Sequence, residues 1–247
     1  MKVTQVIFAL CAAGFTAAAP VETEVDIASL IEADADFPLA ELESYYEKKL
    51  NVNVSGLKAR QYTSSTSNEL TDGTACRAVT LIYARGTGQD GNIGDPAAVG
   101  PLFFNSLASR IGRNNLAVQG VDYPANVIGF LSGGDAAGSR TLASLAQRAA
   151  TQCPNTEIVL SGYSQGAQLV HNAAAMLSTA VTNRITAVLT FGDPKQNQAF
   201  GSIPSSRTRV ICRAGDTICA GSIIPNEAHT LYQENAADAA AWVAARV

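Results

Sequence analysis

Charge is scarce in this chain. Only 15% of its 247 residues are Asp, Glu, Lys or Arg, and 17 basic residues face 21 acidic ones, for a net charge of -4. With no basic stripe to displace counterions from phosphates, nucleic acid is excluded as a partner. Aromatics are also few, 6% with a single Trp, so a platform for stacking bases or sugars is poorly supplied. There are two histidines, His171 and His229, which confines any imidazole chemistry to two places. No GxGxxG or GxxxxGKS string is present, and no internal repeat. The cysteines lack CxxC spacing and accompanying histidines, so a zinc site is not indicated and no metal or other cofactor is expected. No apolar run reaches the roughly 20 residues that a bilayer requires, and a membrane span is not expected.

What is present begins with a leader. Met1-Lys2 is a short positive start, Val6 to Phe15 is an apolar run, and Ala17-Ala18-Ala19 before Pro20 suits a signal peptidase. Residues 1–19 therefore read as a signal peptide, and the protein as secreted and extracellular. Residues 20–60 concentrate acid (Glu22, Glu24, Asp26, Glu32, Asp34, Asp36, Glu41, Glu43, Glu47), show no strand pattern, and end in Lys58-Ala59-Arg60. They read as a propeptide, and the Ser/Thr-rich residues 61–74 as a linker. Beyond Cys11 of the leader stand Cys76, Cys153, Cys212 and Cys219, an even set that in an exported protein suggests two disulfides. Three pairings are open. The seven-residue separation makes Cys212–Cys219 the easiest, leaving Cys76 with Cys153.

From about residue 75 the apolar pattern alternates. Ala78–Ala84 is a continuous β-forming run, as a strand buried on both faces should be. Further strands are expected at 116–121, 157–162, 185–191 and 208–212, and helices at 102–111, 139–150, 165–179 and 235–247. Strand and helix in alternation call for a parallel sheet covered on both faces. The expectation is a single α/β domain over 75–247, a three-layer sandwich with a mainly parallel sheet of about five strands.

Chemistry concentrates where the third of these strands turns into a helix. Gly162-Tyr163-Ser164-Gln165-Gly166 reads GxSxG, directly after the apolar TEIVLS and opening the helix QGAQLVHNAAAML. That is the strand-to-helix elbow on which this motif presents a nucleophilic serine, with small neighbours for the sharp turn. A serine needs a base. His171 lies seven residues along the same helix from Ser164, about 10 Å away at 1.5 Å per residue, and reads as a structural or surface histidine. His229 is left as the base. In this fold the acid falls between serine and histidine, which offers Asp193 and Asp216. Asp193, in Gly192-Asp193-Pro194, reads as a turn-former. Asp216 sits inside the Cys212–Cys219 loop and is favoured. An oxyanion hole would draw on the N–H of Gln165 and on the Arg85-Gly86-Thr87-Gly88 loop, where Thr87 could add its hydroxyl.

Together IYARGTGQDGNIG, GYSQG, CRAGDTIC and the following AGSIIPNEAH resemble a fungal cutinase over about residues 75 to 247. The resemblance implies an α/β-hydrolase fold, a triad of Ser164, Asp216 and His229, and an oxyanion hole of Thr87 and Gln165. It implies the disulfides Cys76–Cys153 and Cys212–Cys219. It also implies a monomeric, cofactor-free secreted serine esterase acting on cutin-type polyesters and short-chain esters through an acyl-enzyme. Cutinases often carry Ser-Thr where this chain has Thr87-Gly88. Acetylxylan esterases share the sequence family and are the alternative; a non-catalytic secreted binding protein is a third, opposed by the intact Ser, Asp and His. The loops at 85–101 and 122–138 hold no amphipathic stretch long enough for a lid helix. The apolar Val127, Ile128, Phe130 and Leu131, with Ile223 and Ile224, read either as a rim suited to an aliphatic acyl chain or as buried loop anchors.

Overall fold

The computed structural model of the chain describes residues 2–6, 22–26 and 62–247. Contacts divide the chain into two units, Met1–Tyr45 and Tyr46–Val247. In the first, β1 (Lys2–Val6) pairs antiparallel with β2 (Glu22–Asp26), Lys2 opposite Asp26. This corrects the reading of the acidic stretch as strand-free: Thr23 and Val25 alternate with Glu22, Glu24 and Asp26, a period of two. The signal-peptidase site and the rest of the expected propeptide lie outside the described residues.

The second unit is built on a five-stranded parallel sheet in the order β4-β3-β5-β6-β7. Its strands are β3 (Val79–Ala84), β4 (Leu116–Gly120), β5 (Glu157–Tyr163), β6 (Ile185–Phe191) and β7 (Thr208–Ile211). Every residue of β3 is buried, because helices cover both faces. On one face Leu81, Tyr83, Val159 and Leu189 pack against α1 (Val99–Ile111) and the C-terminal helix; on the other Ile82, Leu160 and Val188 pack against Leu142, Leu145, Leu169 and Val170. The second layer comprises α3 (Ala136–Gln152) and α4 (Gln165–Met176). In the chain the short α2 (Val127–Leu131) precedes α3 and the short α5 (Thr179–Thr182) follows α4, and after β7 come α6 (Glu227–Thr230) and α7 (Ala236–Ala244).

The chain leaves β3 toward β4 on one side, and leaves β5 toward β6 on the other. Adjacent strands whose exits diverge open a crevice at their C-terminal ends, the place where open α/β sheets hold ligands. Here that crevice lies between the loop after Ala84 and the turn after Tyr163.

Several expectations need correction: the helix expected at 139–150 runs from Ala136 to Gln152, and the one expected at 235–247 runs from Ala236 to Ala244. Helix α1 begins at Val99, three residues before the expected start, because Pro101 is tolerated in a first turn. The expected helix 165–179 ends at Met176, and Ser178 caps the separate turn α5. Residues 62–74 are no free linker. Tyr62 and Leu70 are buried in the two cores, Gly120 donates to Ser67 O at 2.8 Å, and Asn68 bridges Gln119 antiparallel along the open side of β4. Both disulfides form, Cys76–Cys153 and Cys212–Cys219, with Cα separations of 5.5 and 6.1 Å.

Candidate active site

The turn from β5 into α4 leaves no room for side chains at its two glycines. A Cβ on Gly162 would stand 2.4 Å from Gly166 O, and one on Gly166 would stand 2.0 Å from Ala84 O. Between them Ser164 holds φ 56° and ψ -119°, a backbone region that costs a non-glycine residue of order 1–3 kcal/mol. Its N–H donates to Phe191 O at 2.9 Å, fixing the strained residue to the end of β6. The strain lifts Ser164 Oγ clear of the helix it precedes, so that it faces the crevice rather than capping α4.

His229 comes from α6. Its Nε2 lies 3.0 Å from Ser164 Oγ, and its Nδ1 lies 3.0 and 2.9 Å from the two carboxylate oxygens of Asp216. All three side chains are buried: Ser164 is 7% exposed, His229 2% and Asp216 3%. Asn226 caps α6 by accepting from His229 N, and its amide donates to Gly215 O at 2.7 Å, joining the base's turn to the acid's loop. Tyr163 lies along the imidazole, ring centroids 5.2 Å apart, and donates its hydroxyl to His229 O at 2.8 Å.

Asp216 sits in the loop closed by Cys212–Cys219, two residues before Ile218, whose N–H it accepts at 2.9 Å. Tyr232 donates its hydroxyl to Asp216 Oδ2 at 2.5 Å. Burial pushes the carboxyl's pKa up, but the hydrogen bonds from His229, Tyr232 and Ile218 and the charge on His229 outweigh it, and the group is held below the usual carboxylate range. The same contact, with burial foremost, raises the Tyr232 phenol, so its proton stays on.

Beside the serine, Gln165 Nε2 donates to Thr87 Oγ1 and to Asn126 O, both at 2.8 Å. Since Thr87 Oγ1 accepts from Gln165, its own hydroxyl proton is available to a third atom. Gly88 N donates to Ala125 O at 2.9 Å, and Ala125 itself holds φ 50°. Arg85, buried under this loop, donates to Gln89 O and Tyr123 O, and Tyr123 returns a hydrogen bond to Arg85 O. The loops after β3 and β4 are thereby one unit against the start of α4.

Ser164, Asp216, His229, Thr87 and Gln165 thus converge at the crevice. Asp193 and His171 do not join them. Asp193 is fully buried and its Oδ2 lies 2.9 Å from His171 Nε2, so His171 is a core residue, not a surface one. The sequence reading missed Tyr163, Tyr232, Arg85 and the Gln165 amide as supports; Arg85 stands inside the quoted ARGTG string, but nothing in the order of residues marks the tyrosines. Of the apolar loop residues, Ile128 is 42% exposed, Ile223 42% and Ile224 63%, whereas Val127 is buried and Phe130 and Leu131 are half-buried. The apolar cluster on α2 thus divides between an exposed Ile128 and a buried anchor, Val127.

The family model described as cutinase matches residues 75–247. A cutinase of Blumeria hordei is 46% identical over 184 residues, covering 74% of this chain and 77% of that one. Among solved structures, a Trichoderma reesei cutinase in complex with a phosphonate inhibitor superposes with a TM-score of 0.71 at 36% identity, over 87% of this chain and 95% of that one. An acetylxylan esterase superposes with a TM-score of 0.57 at 22% identity, over 70% of this chain and 99% of that one, a likeness of fold alone.

Proposed function

The chain belongs to the cutinase family and is a carboxylic ester hydrolase, and from that premise we propose that it is a secreted serine esterase working through Ser164, His229 and Asp216 on cutin-type polyesters and dissolved short-chain esters. The observation that carries the reading is the pair of hydrogen bonds on one imidazole: Ser164 Oγ at Nε2 and the Asp216 carboxylate at Nδ1. With Nδ1–H held by the carboxylate, Nε2 is the free lone pair, aimed at the hydroxyl whose proton it must take.

The chemistry follows from that tautomer. Ser164 Oγ attacks the ester carbonyl as its proton passes to His229 Nε2, and Asp216 stabilises the imidazolium so formed. The negative carbonyl oxygen meets the Gln165 N–H at the positive end of α4 and the Thr87 hydroxyl. Collapse of the tetrahedral species expels the alcohol, which takes the proton from Nε2 and leaves an acyl-Ser164. Water, deprotonated by the same Nε2, then releases the acid and restores the serine. The hydroxyl of Thr87 is free for this role because Gln165 Nε2 already donates to its oxygen.

Ile128, Ile223 and Ile224 support an acyl chain of aliphatic rather than acetyl-sugar character. Burial of each CH₂ on so shallow a rim yields up to about 0.8 kcal/mol and saturates after a few carbons, so butyrate esters should be preferred. Helix α2 has five residues, too short for a hinged lid. The expected leader and the two disulfides support secretion, and among the described residues no helix is long and apolar enough to cross a membrane.

Turnover of a p-nitrophenyl ester series, set beside acetylated xylan and cutin, tests the substrate. Labelling with a fluorophosphonate tests the nucleophile. Ser164→Ala should be folded, inactive and unlabelled; an adduct on another residue, or retained activity, would overturn the assignment. A preference for acetylated xylan would instead favour the acetylxylan esterase reading.

A further inference from the structure

A second histidine–aspartate pair lies in the core behind the first. His171, two turns along α4 from Ser164, places Nε2 2.9 Å from Asp193 Oδ2 and Nδ1 3.3 Å from Ala199 O, with its ring stacked on Phe200 at 3.8 Å. Asp193 also accepts from Thr190 Oγ1 at 2.7 Å and from Lys195 N at 2.8 Å, and the Lys195 ammonium donates to Asn172 Oδ1 at 2.6 Å. The segment after β6 therefore grips α4 at two successive residues.

What precedes Asp193 gives this grip a consequence. Phe191 O holds the N–H of Ser164. Gly192, at φ +55°, lies so close behind the imidazole that a Cβ there would stand 2.7 Å from His229 Cε1. The tripeptide Phe191-Gly192-Asp193 thus touches the nucleophile's backbone with its first residue, the base's ring with its second, and the nucleophile's helix with its third. On the far side, Gln196 donates its amide to Cys219 O at 2.5 Å, reaching the loop that carries Asp216.

We propose that His171 and Asp193 are positioning residues for ester hydrolysis: their buried pair locks the 191–196 bracket that sets the spacing between Ser164 and His229. Neither side chain reaches the crevice, and neither exchanges a proton with substrate. The inference rests on the Ser164–His229 reading above.

Its test is a split between kcat and KM. Asp193→Ala removes every bond that the carboxylate makes, and kcat should fall by about tenfold to a hundredfold, the scale of sub-ångström to ångström misplacement of reacting groups. KM should stay within about twofold, because the rim is untouched. The second-order rate of fluorophosphonate labelling should fall with kcat. Asp193→Asn keeps the shape and can donate from Nδ2 to a neutral His171, so it should restore most of the rate. A purely structural pair would lower the melting temperature of Asp193→Ala and leave kcat and the labelling rate of the folded enzyme unchanged, and that result would overturn the proposal. If Asp193→Ala does not fold, Thr190→Val, which deletes one hydrogen bond to the same carboxylate, decides: a severalfold loss of kcat at constant KM is expected, and full kcat would overturn the inference. Activity retained in Ser164→Ala would bring down the triad reading itself, whereas an inactive Ser164→Ala beside a fully active Asp193→Ala would bring down only the bracket.

Discussion

Tyr232 joins three parts of the site with a single oxygen: its hydroxyl donates to Asp216 Oδ2, accepts from Arg213 N at 2.9 Å, and sits 3.7 Å from Cys219 Sγ. A hydrogen bond to a charged group contributes about 1.5–3 kcal/mol, so Tyr232→Phe should be measurably less stable at neutral pH. The pH dependence has a definite sign. Asp216 is ionised more readily in the folded chain than in the unfolded one, so its contribution is fully present above the unfolded carboxylate value near 3.9 and is lost as pH falls through the lower folded value. Removing the phenol raises that folded value, and the gap in urea midpoint between wild type and Tyr232→Phe should narrow from pH 7 to about pH 2. A constant gap would assign the whole effect to Arg213 N, which is uncharged. At this scale the meeting of Ser164, Asp216 and His229 was legible from the sequence because one motif marks the serine and only two histidines compete. Asp193 does form the expected turn, accepting from Lys195 N two residues on, but its second bond was not legible, since its partner, His171, is 22 positions away and comes near only through the packing of α4 on β6.

Elements were legible where burial is unambiguous. The strands could be read closely because a run such as VTLIYA has no polar face to confuse its period. Helix α2 could not, for five residues carry too little pattern; its signal was the cap, Asn126, whose Oδ1 accepts from Gly129 N at 2.9 Å. The same residue's carbonyl accepts the Gln165 amide, so the start of α2 and the Thr87 loop share an anchor. Asn126→Ala should lose about 0.5–2 kcal/mol, the usual range for a deleted cap. It should also lower kcat more than KM, because Gln165 then orients Thr87 less firmly. Hydrogen exchange at Gly129 N, read against kcat on p-nitrophenyl butyrate, checks both; rapid exchange with wild-type kcat would separate the cap from the Thr87 loop.

For the whole molecule, composition misled in one place. Ser/Thr-rich residues 62–74 have the make-up of a linker, yet they pad the free edge of β4 through the Asn68–Gln119 bridge and bury Tyr62 and Leu70. An uncovered edge strand is a template for pairing with other chains. A chain starting at residue 75 should therefore aggregate and melt well below one starting at residue 62, as light scattering during a thermal ramp would register; equal behaviour would mean that β4 needs no cover.

The two cores also differ in when they can exist. The core on the α3 and α4 side draws its members from Leu70 to Ile203, and the disulfide Cys76–Cys153 lies within that span. The core on the α1 side needs residues as late as Val243. A chain is made from its N-terminus. The strand and helix that flank Ser164 therefore leave the ribosome before Asp216, His229 and Tyr232 do. On the proposed reading of the triad, no chain cut short before His229 should hydrolyse an ester, however much of the α3 and α4 core it has formed.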